Sequence, residues 1–337
     1  MDFVFTRRLR ELPPYLFLEI DKAKRKARQD GRDIIDLGVG DPDLPTPQFI
    51  IEALSKAAND PANHRYALDQ GIPSLRRLIS KWYQDRFSVQ LDPDTEVLPL
   101  IGSKEGIAHF PLAFINSGDY SLVPDPCYPP YKSGTIFAVG KVKVLYLNYP
   151  NNPTGAICTV DFYQEAVEFC RRNNLILLSD LAYSEMAYDG YRPPSVFEVE
   201  GAKDLAIEFH SLSKTYNMTG WRVGWACGNK SLVAGLAKVK SNLDSGIFSA
   251  VQVAACAALE TDGSHVRKMC RIYQQRRDCL VDGLNALGYK AKKPKATFYV
   301  WVKIPLARKS IEFCGELLEK ANLVVTPGVG FGKYGEG

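Results

Sequence analysis

The chain has 337 residues, of which 46% are hydrophobic and 24% charged, and its formal net charge is only +4. That is the composition of a globular protein whose core is large enough for two domains. Lysines and arginines alternate with acids except at Lys22–Arg28, a solvated helix face, so nothing marks a nucleic-acid surface.

Met1 to Arg10 lacks the apolar centre of a secretory signal, and no apolar run approaches membrane-spanning length. The eight cysteines lie far apart without a C-x-x-C pair, and the four histidines are equally scattered. Neither a zinc site nor a disulfide framework is expected; reduced thiols in the cytoplasm are.

In chain order, Leu12-Pro13-Pro14-Tyr15 leads into a helical pattern from Leu16 to Gln29, closed by Asp30-Gly31. A short strand at Ile34–Leu37 runs into Gly38-Val39-Gly40-Asp41-Pro42-Asp43, where glycines permit close approach to a ligand or simply make a strand-to-helix turn. Helices follow at Gln48–Ala58 and Ile72–Phe87, with Tyr66 in the loop between them. A strand at Glu96–Ile101 meets Gly102-Ser103-Lys104-Glu105-Gly106, a small-residue turn that opens a helix. Its free N–H groups suit a phosphate, although Ser103 is equally a plain N-cap.

The next strand, Tyr120–Val123, breaks at Pro124-Asp125-Pro126-Cys127-Tyr128-Pro129-Pro130, whose four prolines hold Tyr128 in one pose, for stacking on a planar ring or for packing. Val142–Leu147 is a strand ending in Asn148-Tyr149-Pro150-Asn151-Asn152-Pro153-Thr154-Gly155. Leu175–Leu178 is wholly apolar and runs into Ser179-Asp180-Leu181-Ala182-Tyr183. A carboxylate placed there needs a cation or a strong donor, and a pyridinium nitrogen is one such partner. Leu205–Phe209 alternates as a buried strand before Ser211-Leu212-Ser213-Lys214, with Arg222 eight positions on. A lysine among hydroxyls can carry a Schiff base once neutral, and an arginine can fork onto a phosphate. Together they point to an aldehyde cofactor bearing a phosphate, pyridoxal phosphate.

Strands alternating with helices imply a mostly parallel sheet with ligands at the carboxyl ends of its strands, where Gly102, Asn152, Asp180 and Lys214 all fall. Beyond Arg222 a long helical pattern spans about Lys230 to Leu287 with an interruption near Asp244-Ser245-Gly246. A strand at Ala296–Val302, a helix at Ile311–Lys320 and a strand at Leu323–Val325 then suggest a smaller α+β domain. The expected architecture is α/β, three layers around that sheet. An N-terminal arm (1–45) belongs to the small domain, 46–245 form the large cofactor domain, and 246–337 form an interdomain helix and the small domain.

The stretches Leu12 to Phe17, Leu37 to Asp43, Asn148 to Gly155, Ser211 to Lys214 and Gly220-Trp221-Arg222-Val223-Gly224 carry a resemblance from end to end. The chain resembles the fold type I, class I/II pyridoxal-phosphate aminotransferases, and most of all their LL-diaminopimelate group. The resemblance implies that Lys214 carries the cofactor as a Schiff base and then moves the substrate proton. It also implies that Asp180 keeps the ring nitrogen protonated, that Asn152 and Tyr183 bond the ring's O3′ oxygen, and that Tyr128 stacks on its face. Ser103, Lys104, Ser211 and Arg222 would hold the phosphate, with Ser213 also against the cofactor and Tyr66 reaching in from the second subunit of a homodimer. Tyr15 and Gly40, with Asn152, would line the substrate pocket.

Two stretches depart from the family. Phe137-Ala138-Val139-Gly140 joins the strand before Asn148 through Lys141 alone, where the family has a further strand and helix. The family's pattern also continues past Gly335-Glu336-Gly337 into a strand with the arginine that grips the substrate α-carboxylate, so the small domain is expected to be truncated. The implied activity is transamination between an amino acid, such as LL-diaminopimelate or glutamate, and a 2-oxo acid in lysine biosynthesis. A lyase on the same scaffold, or a cofactor-binding homologue weak in catalysis, are the alternatives.

Overall fold

In a computed structural model of the chain, residues 4–12, 16–67, 70–138, 143–305 and 308–337 are described. Tyr15 and the Gly140–Lys141 junction lie outside them. Six strands make the central sheet: β2 (Val97–Leu100), β3 (Ser121–Leu122), β4 (Val144–Asn148), β5 (Ile176–Asp180), β6 (Ala206–Ser211) and β7 (Gly224–Gly228). Their spatial order is β2-β7-β6-β5-β4-β3, parallel from β3 to β6, with β7 antiparallel to both its neighbours. The sheet is therefore mostly parallel, as the alternation of strands and helices implied. β1 (Ile35–Asp36) pairs in parallel with β8 (Leu323–Val324) in a separate two-stranded sheet.

The strands are apolar on both faces because helices cover both. Successive residues go to opposite sides: Leu177, Trp225, Cys227 and Val97 join one core, while Leu178, Ala226 and Leu98 join the other. Helix Val160–Arg172 shows how the sequence builds a covering layer. Its buried Tyr163, Ala166, Val167 and Cys170 recur at helical spacing, Thr159 accepts from Phe162 N at 3.3 Å, and Arg171 and Arg172 occupy the last turn. A stripe of this kind buries about 1.5–3 kcal/mol per large side chain. The result is a three-layer α/β fold.

Three differences from the sequence pattern stand out. The helical pattern after Arg222 divides into Lys230–Leu243, Ser249–Leu259 and Ser264–Ala286, the second break falling at a left-handed Gly263. Gly224–Gly228, a short run between Arg222 and that helix, is a strand that the pattern did not suggest. The expected strand at 296–302 is reduced to one bridge, Ala187 to Ala296, because Thr297 turns the chain with φ of 69°.

Topology brings the polar turns together. Asn148 pairs with Asp180 in register, and Gly224 lies opposite both Leu100 and Ser211. A side chain at Gly224 would lie 2.6 Å from His210 O and 2.7 Å from Ser103 N. That close packing sets the helix start at Ser103 against the Ser211 turn. Behind it, Lys240 is buried among Glu105 and Asp244, tying helix Ser103–Phe114 to helix Lys230–Leu243. Burial pushes the Glu105 carboxyl up, but His109 and Lys240 outweigh it and hold it below the ordinary range.

Candidate active site

Asp180 ends β5 and is buried. Its Oδ2 accepts from Tyr131 Oη at 2.7 Å and its Oδ1 from Ala182 N at 3.3 Å. Burial pushes its carboxyl up to about 6, against the pull of Tyr131, the Ala182 N–H and Lys214. Next to it, Asn148 fixes the adjoining turn: its Nδ2 donates to Asp180 O at 2.8 Å and its Oδ1 accepts from Asn152 N at 2.7 Å. Asn152 thus has its backbone N–H satisfied, while its buried Oδ1 has no partner among the described residues.

Lys214 sits in the short helix Leu212–Thr215 directly after β6. Burial lowers its amine to about 8, with Asp41 and Asp180 opposing and Arg222 assisting. That places a neutral, nucleophilic amine within reach at ordinary pH. Ser211 caps this helix, its Oγ accepting from Ser213 N at 3.2 Å, and the buried Ser213 Oγ has no partner. Arg222, at φ 57°, donates from Nη1 to Thr219 O at 2.9 Å. Its Nη2 lies 2.3 Å from where a side chain on Gly102 would begin, so only glycine lets the guanidinium reach the start of helix Ser103–Phe114. The helix N-terminus, with no side-chain cap, and the guanidinium converge on one place, which suits an anion.

Tyr183 is buried and its Oη lies 2.7 Å from Tyr299 Oη. The Phe298 ring centre is 5.6 Å from Lys214 Nζ and meets Tyr183 edge-on at 5.7 Å. Both aromatics depend on Thr297, a β-branched residue held left-handed at 1% exposure, a conformation that costs about 1–3 kcal/mol. Gly40 joins the same corner, since a side chain there would lie 2.5 Å from Tyr299. Tyr128 packs edge-on against Tyr131 at 5.6 Å. Lys104, in the first turn of its helix, is exposed. Tyr66 is 95% exposed and forms no hydrogen bond with the other candidates, lying instead beside Ser245, Gly246 and Phe248.

Tyr131, Asn148, Phe298 and Tyr299 were not anticipated. Tyr131 had a signal, its place in the same proline-held stretch as Tyr128; Phe298 and Tyr299 read as an ordinary strand core.

The sequence pattern of the family described as aminotransferase class I and II matches residues 32–142 and 136–337. The chain belongs to this family. The match divides near Gly140-Lys141, where the family has the further strand and helix that this sequence lacks. The LL-diaminopimelate aminotransferase of Desulforudis audaxviator is 49% identical over 363 aligned positions, covering 100% of this chain and 93% of the relative. That of Aquifex aeolicus is 50% identical, covering 99% and 93%. Among solved structures, substrate-bound BacF from Bacillus subtilis superposes with a TM-score of 0.95 at 36% identity, covering 99% of this chain and 92% of that one. The aminotransferase is therefore a pyridoxal-phosphate enzyme that exchanges an amino group between an amino acid and a 2-oxo acid. Its donor set fits that cofactor. Two buried side-chain oxygens, Asn152 Oδ1 and Ser213 Oγ, have no partner among the described residues, and the Gly102–Arg222 approach leaves a cradle that any larger residue would fill.

Proposed function

We propose that the amino acid is LL-diaminopimelate, exchanged with the glutamate/2-oxoglutarate pair in lysine biosynthesis in the cytoplasm. The names of relatives about half identical across nearly the whole chain support this substrate. The observation that carries the residue roles is the pairing of Lys214, its amine lowered to about 8, with Asp180, raised to about 6, at the ends of adjacent strands.

When bound, pyridoxal phosphate supplies the aldehyde that takes the amino group and a ring that accepts the electron pair of the substrate Cα–H bond. Lys214 Nζ holds the cofactor, then takes the proton from the substrate Cα and returns it on the cofactor side. Asp180, anionic above about pH 6, would keep the ring nitrogen protonated. Asn152 and Tyr183 would bond the ring oxygen, and Tyr128 would pack on the ring. Ser103, Lys104, Ser211 and Arg222 would hold the phosphate, with Ser213 also against the cofactor. Gly40 and Asn152 bound the substrate side. The large domain spans 46–245; the arm 1–45 and residues 246–337 form the smaller part. Exposed Tyr66 and Phe248, on one outer face, support a homodimer in which Tyr66 reaches the partner's phosphate site.

Borohydride reduction of the cofactor-loaded protein and peptide mapping should tag Lys214; a tag elsewhere removes the assignment. Single amino acids added to the loaded enzyme should change the cofactor's absorbance, LL-diaminopimelate and glutamate most strongly. Release of ammonia instead of a reversible exchange would favour a lyase.

A further inference from the structure

Tyr183 and Tyr299 meet hydroxyl to hydroxyl at 2.7 Å, and among the described residues neither hydroxyl makes another hydrogen bond. Two phenols bring two protons, of which only one lies in the shared bond. Burial pushes the ionisation of both phenols up, so both protons are in place across the ordinary pH range. Their surroundings differ. Tyr299 Oη rests against Gly40, whose missing side chain would begin 2.5 Å away, and its ring packs on Phe298 at 4.8 Å. Tyr183 follows Asp180 by three residues and meets Phe298 edge-on at 5.7 Å, the ring that lies 5.6 Å from Lys214 Nζ.

We propose that Tyr299 is a positioning residue: it donates to Tyr183 and so turns the Tyr183 O–H proton to the Lys214 side of the pocket, ready for an acceptor oxygen of the cofactor. This rests on the assignment of Tyr183 under Proposed function. With the opposite polarity the Tyr299 proton meets no acceptor among the described residues, a buried donor left unmet. A hydroxyl that accepts one hydrogen bond donates the next more strongly, so Tyr299 strengthens whatever Tyr183 gives. The backbone fixes the geometry. Thr297 N donates to Met186 O at 2.8 Å and Tyr299 N to Thr297 Oγ1 at 3.1 Å, linking the left-handed turn to the segment that carries Tyr183.

The test compares Tyr299→Phe, Tyr183→Phe and the double variant as holoenzymes. The readouts are the pH titration of the lysine-bound cofactor's absorbance, the cofactor Kd of the apoenzyme, kcat and KM. Phenylalanine keeps the ring and its packing, and an unchanged unfolding midpoint checks this. Tyr299→Phe should raise the spectral pKa by roughly half a unit to one unit and lower kcat about three- to tenfold, with KM within about twofold. Added to Tyr183→Phe it should change nothing further, because its effect passes through that hydroxyl. A wild-type titration for Tyr299→Phe, or effects that add in the double variant, would overturn the proposal while leaving Tyr183 assigned. A wild-type titration for Tyr183→Phe would remove that assignment and this inference with it.

Discussion

Two carboxylates are enclosed on adjacent strands, Asp180 at the end of β5 and Glu208 within β6, where it pairs in register with Ser179. Burial pushes both up, Asp180 to about 6 and Glu208 to about 7. Their partners separate them. Glu208 accepts from Ser195 Oγ at 2.7 Å, Ser179 Oγ at 2.9 Å, Tyr83 Oη at 3.0 Å and Val196 N at 3.0 Å. Among the described residues, Asp180 accepts from Tyr131 at 2.7 Å and, in a long contact, from Ala182 N at 3.3 Å. A carboxylate offers about four lone-pair sites. Glu208 fills them from within the protein, stitching the 195–196 turn and the Tyr83 helix to the sheet, whereas Asp180 keeps capacity for a partner from outside. Burial and a raised pKa alone would have nominated both; satisfaction tells structure from function.

The largest effect should come from Asp180→Asn. The fold is kept, since an amide can still accept from Tyr131, but the anion proposed to face the ring nitrogen is gone. A buried ion pair broken on one side costs about 3–5 kcal/mol, so turnover should fall by roughly two to three orders of magnitude or more. Steady-state kinetics beside a circular-dichroism melt decide it, and near-normal turnover would make Asp180 as structural as Glu208. Glu208→Gln should behave inversely. Its NH₂ group meets donors instead of accepting from them, leaving about two donors unmet at about 1–3 kcal/mol each, read as lost stability in urea unfolding. Turnover per folded molecule should stay within about twofold.

The same variant carries a pH signature. Because the folded Glu208 value, about 7, exceeds its ordinary 4.5, its stabilising contribution is full at low pH and is lost as pH rises through that window. Glutamine does not titrate, so that part of the slope should vanish.

Much of this site was legible before the fold. Asp180, Asn152 and Lys214 sit at or just after the ends of apolar strands and Arg222 eight residues past Lys214, where spacing and residue type both show in the sequence. Other parts depend on long-range packing. Nothing near Tyr131 says that its hydroxyl meets a residue 49 positions later, and Glu208 looks like an interruption of an apolar strand. The strand expected at 296–302 fails for a related reason. Its residue types favour β-structure, yet the bond from Thr297 N to Met186 O and the contact of Tyr299 with Tyr183 go with a turn at Thr297 that local propensity disfavours. The break at Glu260–Gly263 carried a glycine signal that an otherwise continuous helical period concealed.

Tyr131→Phe sharpens the comparison by making Asp180 still less satisfied. The lost bond to a charged group is worth about 1.5–3 kcal/mol, part of which water or the ligand restores, so cofactor affinity should fall about tenfold. The stacking of residue 131 on Tyr146, 5.2 Å between rings, survives the change. Apoenzyme titration with pyridoxal phosphate gives the number, and unchanged affinity would mean that Tyr131 only fills space.

The smallest effect needs no mutation. With its carboxyl near 6, Asp180 is an anion at pH 7.5 and becomes neutral as pH falls through 6, and only the anion supports a protonated ring nitrogen. Affinity of the apoenzyme for the cofactor should therefore weaken on acidification, about fourfold at pH 5.5 and about tenfold at pH 5. The cofactor's phosphate also loses charge near a pKa of about 6, so an acid edge alone is ambiguous. Asp180→Asn separates the two: the carboxylate part of the edge should disappear from it, leaving only the phosphate part. Tyr131→Phe should move the carboxylate part upward, because removing a donor to the anion raises the pKa. An edge of the same depth in Asp180→Asn as in the wild type would place the titrating group elsewhere and return Asp180 to the company of Glu208.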